Sequence, residues 1–208
     1  MDGVEDVVDE MTADEDAFDG TEDAPIEEEA FEDAPEAEDA PVFVKYLNDE
    51  YLAEWAITGL TFIPGTEDVL LDLMKKEAAP KATLAHAAGI KKLASAEPVL
   101  IAWLKNADAA TARAIYQSLA QCGTSLSIPV LGKAAKKVNY DWESSDATAA
   151  YLRLLQKLVK EGQTKSAVVA AKGLLKDTDK PYVRGAALDV IVAVDGKKAL
   201  PYLTSALK

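Results

Sequence analysis

The feature that most constrains this chain is an apolar pattern of helical spacing that occurs five times after residue 51. In each copy, mostly apolar or small residues fall at positions i, i+3, i+4, i+7, i+8 and i+11, which share one face of an α-helix. Successive copies begin 30, 29, 36 and 36 residues apart, and this regularity predicts a helical repeat. The copies are Leu52, Trp55, Ala56, Gly59, Leu60, Ile63; Ala82, Ala85, His86, Gly89, Ile90, Leu93; Thr111, Ala114, Ile115, Ser118, Leu119, Cys122; Ala147, Ala150, Tyr151, Leu154, Leu155, Leu158; and Val183, Ala186, Ala187, Val190, Ile191, Val194.

A second helical run follows each copy after a short linker that contains helix-ending and helix-starting residues. It opens with Val69, Val99, Ile128 and Leu200 in four units. In the fourth unit the first helix is expected to continue to Gly162, and the second to resume near Val168. Each unit is therefore predicted to be an antiparallel helix pair. Because one pair cannot bury both of its apolar faces, neighbouring pairs must stack. We predict an all-α fold, an α-α superhelix of about five helix pairs over residues 41–208.

The stretch YVRGAALDVIVAVDG, residues 182–196, permits a competing interpretation. Taken alone, its β-branched centre before Asp-Gly is typical of a strand that enters a turn, as in an α/β enzyme. Aligned with the four earlier copies, the same residues form one helical stripe from Val183 to Val194. We therefore predict a buried helix that ends at Asp195-Gly196.

Residues 1–40 form an acidic tail that holds 19 Asp and Glu and no Lys or Arg. Like charges repel one another and few apolar residues are present, so we expect this segment to be disordered and to act as a solvating tail or linker. A sharper interpretation is a partner-binding segment in which Phe18, Ile26 and Phe31 are hydrophobic anchors among acids. Both interpretations stay open at this point.

The remaining residues, 41–208, carry 17 acidic and 22 basic side chains, a net charge of +5. This excess is too small and too dispersed to indicate a nucleic-acid interface. No run of 18 apolar residues predicts a membrane span, and no signal peptide is recognisable at the start. If Met1 is the natural start, we expect a cytoplasmic protein.

The sequence contains few residues that could perform catalysis or hold a metal ion. The only histidine, His86, falls on the predicted inward face of a helix, and the only cysteine, Cys122, occupies a core position of the repeat. One histidine and one cysteine cannot form a four-ligand zinc site, and neither phosphate-binding glycine motif is present. We therefore expect no catalytic residue, no cofactor and no bound metal, and we expect His86 and Cys122 to be structural.

Aromatic residues divide into two groups. Trp55 and Trp103 lie at helix-face spacing and are expected in the core. Tyr140 and Trp142 fall in the long connection between the third and fourth units, where they could cover the core edge or form an exposed anchor for a partner or a sugar ring. These two residues are the predicted protein-contact site. Nearby Lys133, Lys136 and Lys137 form a small basic patch that could meet an acidic partner or lie on a solvated helix end.

The last unit resembles a HEAT-type repeat of the short bacterial, phycobilisome-lyase-like kind. The matching elements are Asp177 or Asp179 before the helix, Val183-Arg184, Ala186-Ala187-Leu188, the Asp195-Gly196 turn, and the run from Ala199 to Leu203. The resemblance by motif covers residues 177–208, and the periodicity extends it over residues 41–208. The earlier units lack Val-Arg, and the signature of tetratricopeptide repeats is absent.

The resemblance implies stacked helix pairs that bind other proteins. We accordingly expect a non-catalytic interaction or scaffold module with a protein partner. One alternative is an accessory region of a larger, possibly secreted, enzyme whose catalytic domain lies outside this chain. Another is a phycobilin-lyase-like enzyme, although we find no residue that would carry that chemistry.

Overall fold

The computed structural model describes residues 36–47, 49 and 51–206, and these residues form α-helices and short 3-10 turns without any β-strand. The predicted all-α fold is confirmed. Most of the tail for which we predict disorder, with its candidate anchors Phe18, Ile26 and Phe31, lies outside the described residues. The helices are α1 (Ala40–Val44), α2 (Ala53–Phe62), α3 (Glu67–Lys76), α4 (Lys81–Ile90), α5 (Glu97–Trp103), α6 (Ala109–Cys122), α7 (Ser127–Lys137), α8 (Ala147–Lys160), α9 (Thr164–Asp177), α10 (Pro181–Asp195) and α11 (Leu200–Ala206).

The helices after α1 are arranged as five consecutive pairs. The first helices of the pairs pack side by side in chain order, α2 on α4, α4 on α6, α6 on α8, and α8 on α10. Each second helix of the first four pairs also contacts the first helix of the next pair, and α5, α7 and α9 contact one another in turn. The helices therefore pack against their neighbours in chain order, which is compatible with a helical repeat fold.

Residues 182–196 are helical, which excludes the interpretation as a strand. They belong to α10, which begins at Pro181 and ends where Gly196 adopts a φ of +53°. Proline is tolerated in the first turn of a helix because a backbone N–H at that position would have no hydrogen-bond partner within the helix. Glycine tolerates the positive φ at which the helix ends. Val183, Val190 and Ile191 are buried against neighbouring helices.

The predicted core stripe is confirmed in the inner helices. All six positions of the α8 copy are buried, and the α6 and α10 copies place their central residues in the same core. A helix that packs against neighbours on both sides must be apolar at these positions, because their side chains are removed from water.

In α2 and α4 the predicted stripe is rotated about the helix axis. Trp55, expected in the core, is 75 % exposed, whereas Ile57, outside the pattern, is fully buried. His86 is likewise exposed and not inward-facing, while Leu84 is fully buried. Both helices carry apolar residues on more than one face, so the spacing fits two registers and packing selects between them. Trp103 is buried as predicted.

Polar contacts between neighbouring pairs fix their register. The Lys91 ammonium donates to the carbonyl oxygen of Ile63 at 2.5 Å, and the Lys157 ammonium donates to that of Gly123 at 2.7 Å. Each lysine thus satisfies a carbonyl group at the end of the first helix of the preceding pair.

Glu97, at the start of α5, makes the most extensive of these contacts. Its buried carboxyl group accepts hydrogen bonds from the Thr124 backbone N–H, the Thr124 hydroxyl and the Ser127 hydroxyl, at 2.9, 2.8 and 2.5 Å. The linker that starts α7 is therefore tied to the previous pair. Within the described segments, no helix has the length and apolarity needed to cross a membrane.

Candidate binding surface on the second helices

A depression with a volume of about 760 Å³ lies between α7 and α9, the second helices of the third and fourth pairs. We call it the α7/α9 groove. Its wall is mostly apolar, which is typical of sites that bind apolar side chains or ligands. It is lined by Ser125, Ile128, Pro129, Gly132, Lys133, Lys136, Tyr140, Tyr151, Lys165, Ser166, Val169, Ala170, Gly173, Leu174 and Asp177.

Two helix-interior glycines shape the groove. A Cβ atom at Gly132 would lie 3.2 Å from Cζ of Tyr151, so this glycine lets α7 approach the Tyr151 ring closely. At Gly173, by contrast, a Cβ atom would meet no other atom within 4 Å. The second glycine therefore faces open space within the groove and contributes to its width. Val169 presents an exposed apolar side chain beside it, with 72 % of its surface accessible.

Lysines form the charged rim of the α7/α9 groove. Lys133 and Lys165 are exposed, and Lys136 pairs with the Asp177 carboxylate at 3.1 Å. Asp177 also accepts a hydrogen bond from the Tyr140 hydroxyl, and these two donors lower the pKa of its carboxyl group. With three lysines and one already paired carboxylate in its lining, the groove is basic.

A second, smaller groove lies on the other side of α7, against the end of α5 and the turn Leu104–Asn106. Its volume is about 400 Å³, and we call it the α5/α7 groove. Its lining residues are Leu104, Lys105, Tyr116, Pro129, Val130, Lys133, Ala134 and Lys137. Pro129 and Lys133 line both grooves, so α7 forms a ridge with an apolar depression on each flank.

The structure places Tyr140 at the wall of the α7/α9 groove but largely buries its side chain, which is 4 % exposed. Burial, and secondly the hydrogen bond to Asp177, raise the pKa of Tyr140 to about 12. Its backbone has a φ of +55°, in the left-handed region that helps the chain leave α7 sharply. Tyr140 therefore anchors the connection to the core.

Trp142 differs from Tyr140 because it remains 57 % exposed. Its ring lies 5.3 Å from that of Tyr182, centroid to centroid, and the Tyr182 hydroxyl donates to the Tyr140 carbonyl oxygen at 2.5 Å. An ion pair between Lys180 and Asp141 fastens the same connection to the start of α10. Trp142 is thus held in place beside the groove rather than within its lining, and a partner contact at Tyr140 and Trp142 stays a prediction.

Histidine and cysteine are not brought together as a reactive pair. Cys122 is buried, its sulfur lies 4.0 Å from the Ser118 hydroxyl, and burial raises the pKa of its thiol to about 11. A thiol with so high a pKa is protonated at neutral pH and is a poor nucleophile or metal ligand. Within residues 36–47, 49 and 51–206, no group of three or more His, Cys, Asp or Glu side chains could hold a metal ion.

Most groove residues were not identified from the sequence. Lys133, Lys136 and Lys137 were noted as a basic patch, but their relation to Lys165 on α9 depends on how the pairs stack. The signal that could have located the groove is the pair of glycines inside otherwise regular helices, Gly132 and Gly173. Glycine is unfavourable in the interior of a helix, so its presence there suggests a close approach of a neighbouring element or an open site.

The first helix pair presents a different surface. Tyr51, Trp55 and Phe62 on and before α2 are 80 %, 75 % and 74 % exposed. The ring of Phe43 on α1 lies in the space that a Cβ atom of Gly59 on α2 would occupy. We call this set of four aromatic residues the first-pair face.

No protein-family model, curated protein or solved structure gives a significant match to this chain. The all-helical architecture therefore rests on the described helices and their packing. The HEAT-type resemblance of residues 177–208 stays an expectation.

Proposed function

We propose that residues 41–208 form a HEAT-like repeat domain that acts as a non-catalytic interaction module and binds a protein partner across its second helices. The observation that carries this proposal is the α7/α9 groove, an apolar depression of about 760 Å³ with a rim of lysines. A recess of this kind can accept a bulky apolar side chain of a partner, and such buried anchors account for much of the free energy of protein association.

The residues that line the α7/α9 groove favour binding of a ligand over catalysis. Its hydroxyl groups, such as those of Ser125 and Ser166, have no histidine beside them in the lining to act as a base. Its carboxylate, Asp177, is already engaged by Lys136 and Tyr140. Nucleophilic or acid-base catalysis needs an activated group within reach of a substrate, and this lining supplies none.

The contacts between neighbouring pairs support a preorganised binding surface. Glu97 ties the α6–α7 linker to α5, and Lys157 ties α8 to the end of α6. A surface that is already ordered loses less conformational entropy when a partner binds. The α7 ridge and its two flanking grooves are therefore suited to recognition without rearrangement.

A second candidate, an accessory region of a larger enzyme, is favoured by the first-pair face. Trp55 and Phe62 are large apolar side chains with about three quarters of their surface exposed. Exposed apolar patches commonly mark contacts with another domain or protein. In this candidate function the first-pair face, and not the groove, carries the essential contact.

The experiment that tests the first proposal is a selection of random peptides on the immobilised full-length protein. The discriminating variant is Gly173→Trp, which fills the groove from a position where a new side chain has open space. The matched control is Gly185→Trp, at a helix-interior glycine of α10 that also has open space around it and does not line the groove.

We expect selected peptides to bind the wild type and Gly185→Trp equally, and to lose at least tenfold in affinity for Gly173→Trp. Peptides whose binding is unchanged by Gly173→Trp would overturn the groove as the binding site. Peptides that instead depend on Trp55 and Phe62 would favour the accessory-region candidate.

A further inference from the structure

The two grooves on either side of α7 are close enough together to form one composite binding site. Pro129 and Lys133 line both, so a chain that crosses α7 passes directly from one depression into the other. Helices in contact have axes about 8–10 Å apart, and a chain in the polyproline II conformation advances about 3.1 Å per residue with about three residues per turn. Two side chains about three residues apart lie on one face of such a chain and match the spacing of neighbouring helices.

Charge selects the kind of segment that fits. The linings of the two grooves contain one carboxylate, Asp177, and five lysines, Lys105, Lys133, Lys136, Lys137 and Lys165. The Glu143 carboxylate acts on Tyr116 from outside the lining. Lys133 stands on the ridge itself and is exposed. Opposite charges across an interface steer association and reject partners of the wrong sign. An acidic segment is complementary to this surface, and a basic one is repelled.

We infer that the partner is an acidic protein segment in the polyproline II conformation, which carries two bulky apolar side chains about three residues apart on one face. The segment crosses α7, places one apolar side chain in the α7/α9 groove and the other in the α5/α7 groove, and sets its carboxylates against the lysine rim. This inference rests on the proposed function and names the chemistry of its partner.

A nucleic acid is also negatively charged, but the apolar lining of the grooves favours an acidic peptide with apolar side chains. A single strand binds by its phosphates and by stacking of its bases on exposed aromatic rings. In the α7/α9 groove the aromatic side chains are Tyr140 and Tyr151, and both are buried. The α7/α9 groove therefore offers an apolar recess rather than a stacking platform.

The test uses the full-length protein and a fluorescent synthetic peptide of sequence EDEFDEFDE, with anisotropy as the readout at about 0.1 M salt. Three further probes isolate its features: a peptide with both Phe replaced by Ser, a peptide with all acids replaced by Lys, and a short oligothymidine. The discriminating variant is Lys133→Glu, and the matched control is Lys197→Glu, an exposed lysine in the turn before α11.

We expect the acidic Phe peptide to bind, with a loss of about tenfold on Lys133→Glu and less than twofold on Lys197→Glu. The Ser peptide should bind at least tenfold more weakly, and the Lys peptide should not bind. Lys165→Glu should weaken binding in the same direction as Lys133→Glu, which guards against a folding defect of one variant; melting curves of all variants provide the control.

Equal binding of the Lys peptide, or binding that Lys133→Glu leaves unchanged, would overturn the inference. So would tighter binding of oligothymidine than of the acidic peptide. These failures differ from that of the proposed function. If the random selection yields Gly173-dependent peptides that are not acidic, the interaction module stands and only the identity of its partner is wrong.

Discussion

The first helix pair and the inner helix pairs of this domain are built from similar repeats but differ in burial and charge. Residues 36–80, which hold α1 and the segment before it as well as the first pair, contain 10 Asp and Glu and 3 Lys, a net charge of −7. Residues 81–208, which hold the other four pairs including the terminal one, contain 10 Asp and Glu and 19 Lys and Arg, a net charge of +9. The first pair exposes aromatic side chains on α2, while α8 buries all six positions of its repeat.

This difference follows from position in the stack. An inner first helix such as α8 contacts the first helices before and after it, so its apolar residues are removed from water on two sides. Helix α2 contacts α4 on one side and the short α1 on the other. We therefore expect the inner pairs to contribute most of the free energy of unfolding and most of the binding to the partner. The first pair should contribute less to both.

The largest expected effect is the contrast between a core leucine and an exposed tryptophan. Leu154→Ala in α8 removes a fully buried side chain and should lower the free energy of unfolding by about 2–5 kcal/mol. Trp55→Ala in α2 removes a larger side chain that is mostly in water and should cost less than about 1 kcal/mol. Urea unfolding followed by circular dichroism measures both. Equal losses would break the proposed difference between the two regions.

The next largest loss of stability should follow from removing Glu97, whose hydrogen bonds join the second and third pairs. Glu97→Ala leaves the Thr124 N–H and two hydroxyl groups without their acceptor and should cost about 3 kcal/mol. Glu54→Ala, at an exposed site on α2, is the control and should change stability by less than about 0.5 kcal/mol. A loss below about 1 kcal/mol for Glu97→Ala, measured by the same unfolding experiment, would show that the tie contributes little.

Alkaline pH should destabilise the inner pairs through Cys122. Its pKa is raised to about 11 in the folded state, so the unfolded thiol loses its proton first, near pH 9. The stability contributed by the protonated thiol is complete below about pH 9 and is lost as pH rises toward 11, amounting to about 3 kcal/mol. Tyr140 and Tyr151, with pKa values raised to about 12, act in the same direction above pH 10.

Comparison of the wild type with Cys122→Ala isolates the thiol in this experiment. The variant should start less stable at pH 8 because it leaves a small cavity, but it should lose less stability between pH 8 and pH 11. Parallel pH profiles for the two proteins would contradict the assignment of the raised pKa to Cys122.

The smallest expected effects on stability come from two glycines, one with open space around it and one in close contact with a neighbouring ring. Gly173→Ala in α9 adds a methyl group in open space and should stabilise the protein by about 0.5–1 kcal/mol, because alanine favours a helix interior. Gly59→Ala in α2 places its methyl group where the Phe43 ring lies, and the resulting overpacking should give a net loss of about 1 kcal/mol. Thermal unfolding of both variants measures the two signs; a gain at Gly59 would show that α1 packs only loosely on α2.

The sequence was sufficient to predict the repeat because it depends on local spacing. Each of the five first helices begins and ends within a few residues of its pattern, and four second helices begin close to Val69, Val99, Ile128 and Leu200 as predicted. Helix α9 begins at Thr164, one turn before the predicted Val168. The rotation of α2 and α4 could not be predicted, since apolar residues such as Trp55 and Ile57 lie on two faces of the same helix. Only the packing partner decides which face is buried.

The binding surface was harder to predict for a different reason. Lys133 on α7 and Lys165 on α9 are separated in sequence by a complete helix, and no motif joins them. Tyr140 and Trp142 lie two residues apart in the same loop, yet one is buried and the other is exposed, because the turn after α7 directs one ring into the core. Such properties arise from stacking and loop geometry, which short-range patterns do not encode.

The most direct test of the central claim, that the second helices and not the first-pair face bind the partner, is a nuclear magnetic resonance titration of the full-length ¹⁵N-labelled protein with the peptide EDEFDEFDE. The account predicts that the backbone amides of Gly132 and Gly173 shift with peptide concentration, while the indole N–H signal of Trp55 does not move. A shift of the Trp55 signal with unchanged Gly132 and Gly173 amides would contradict it.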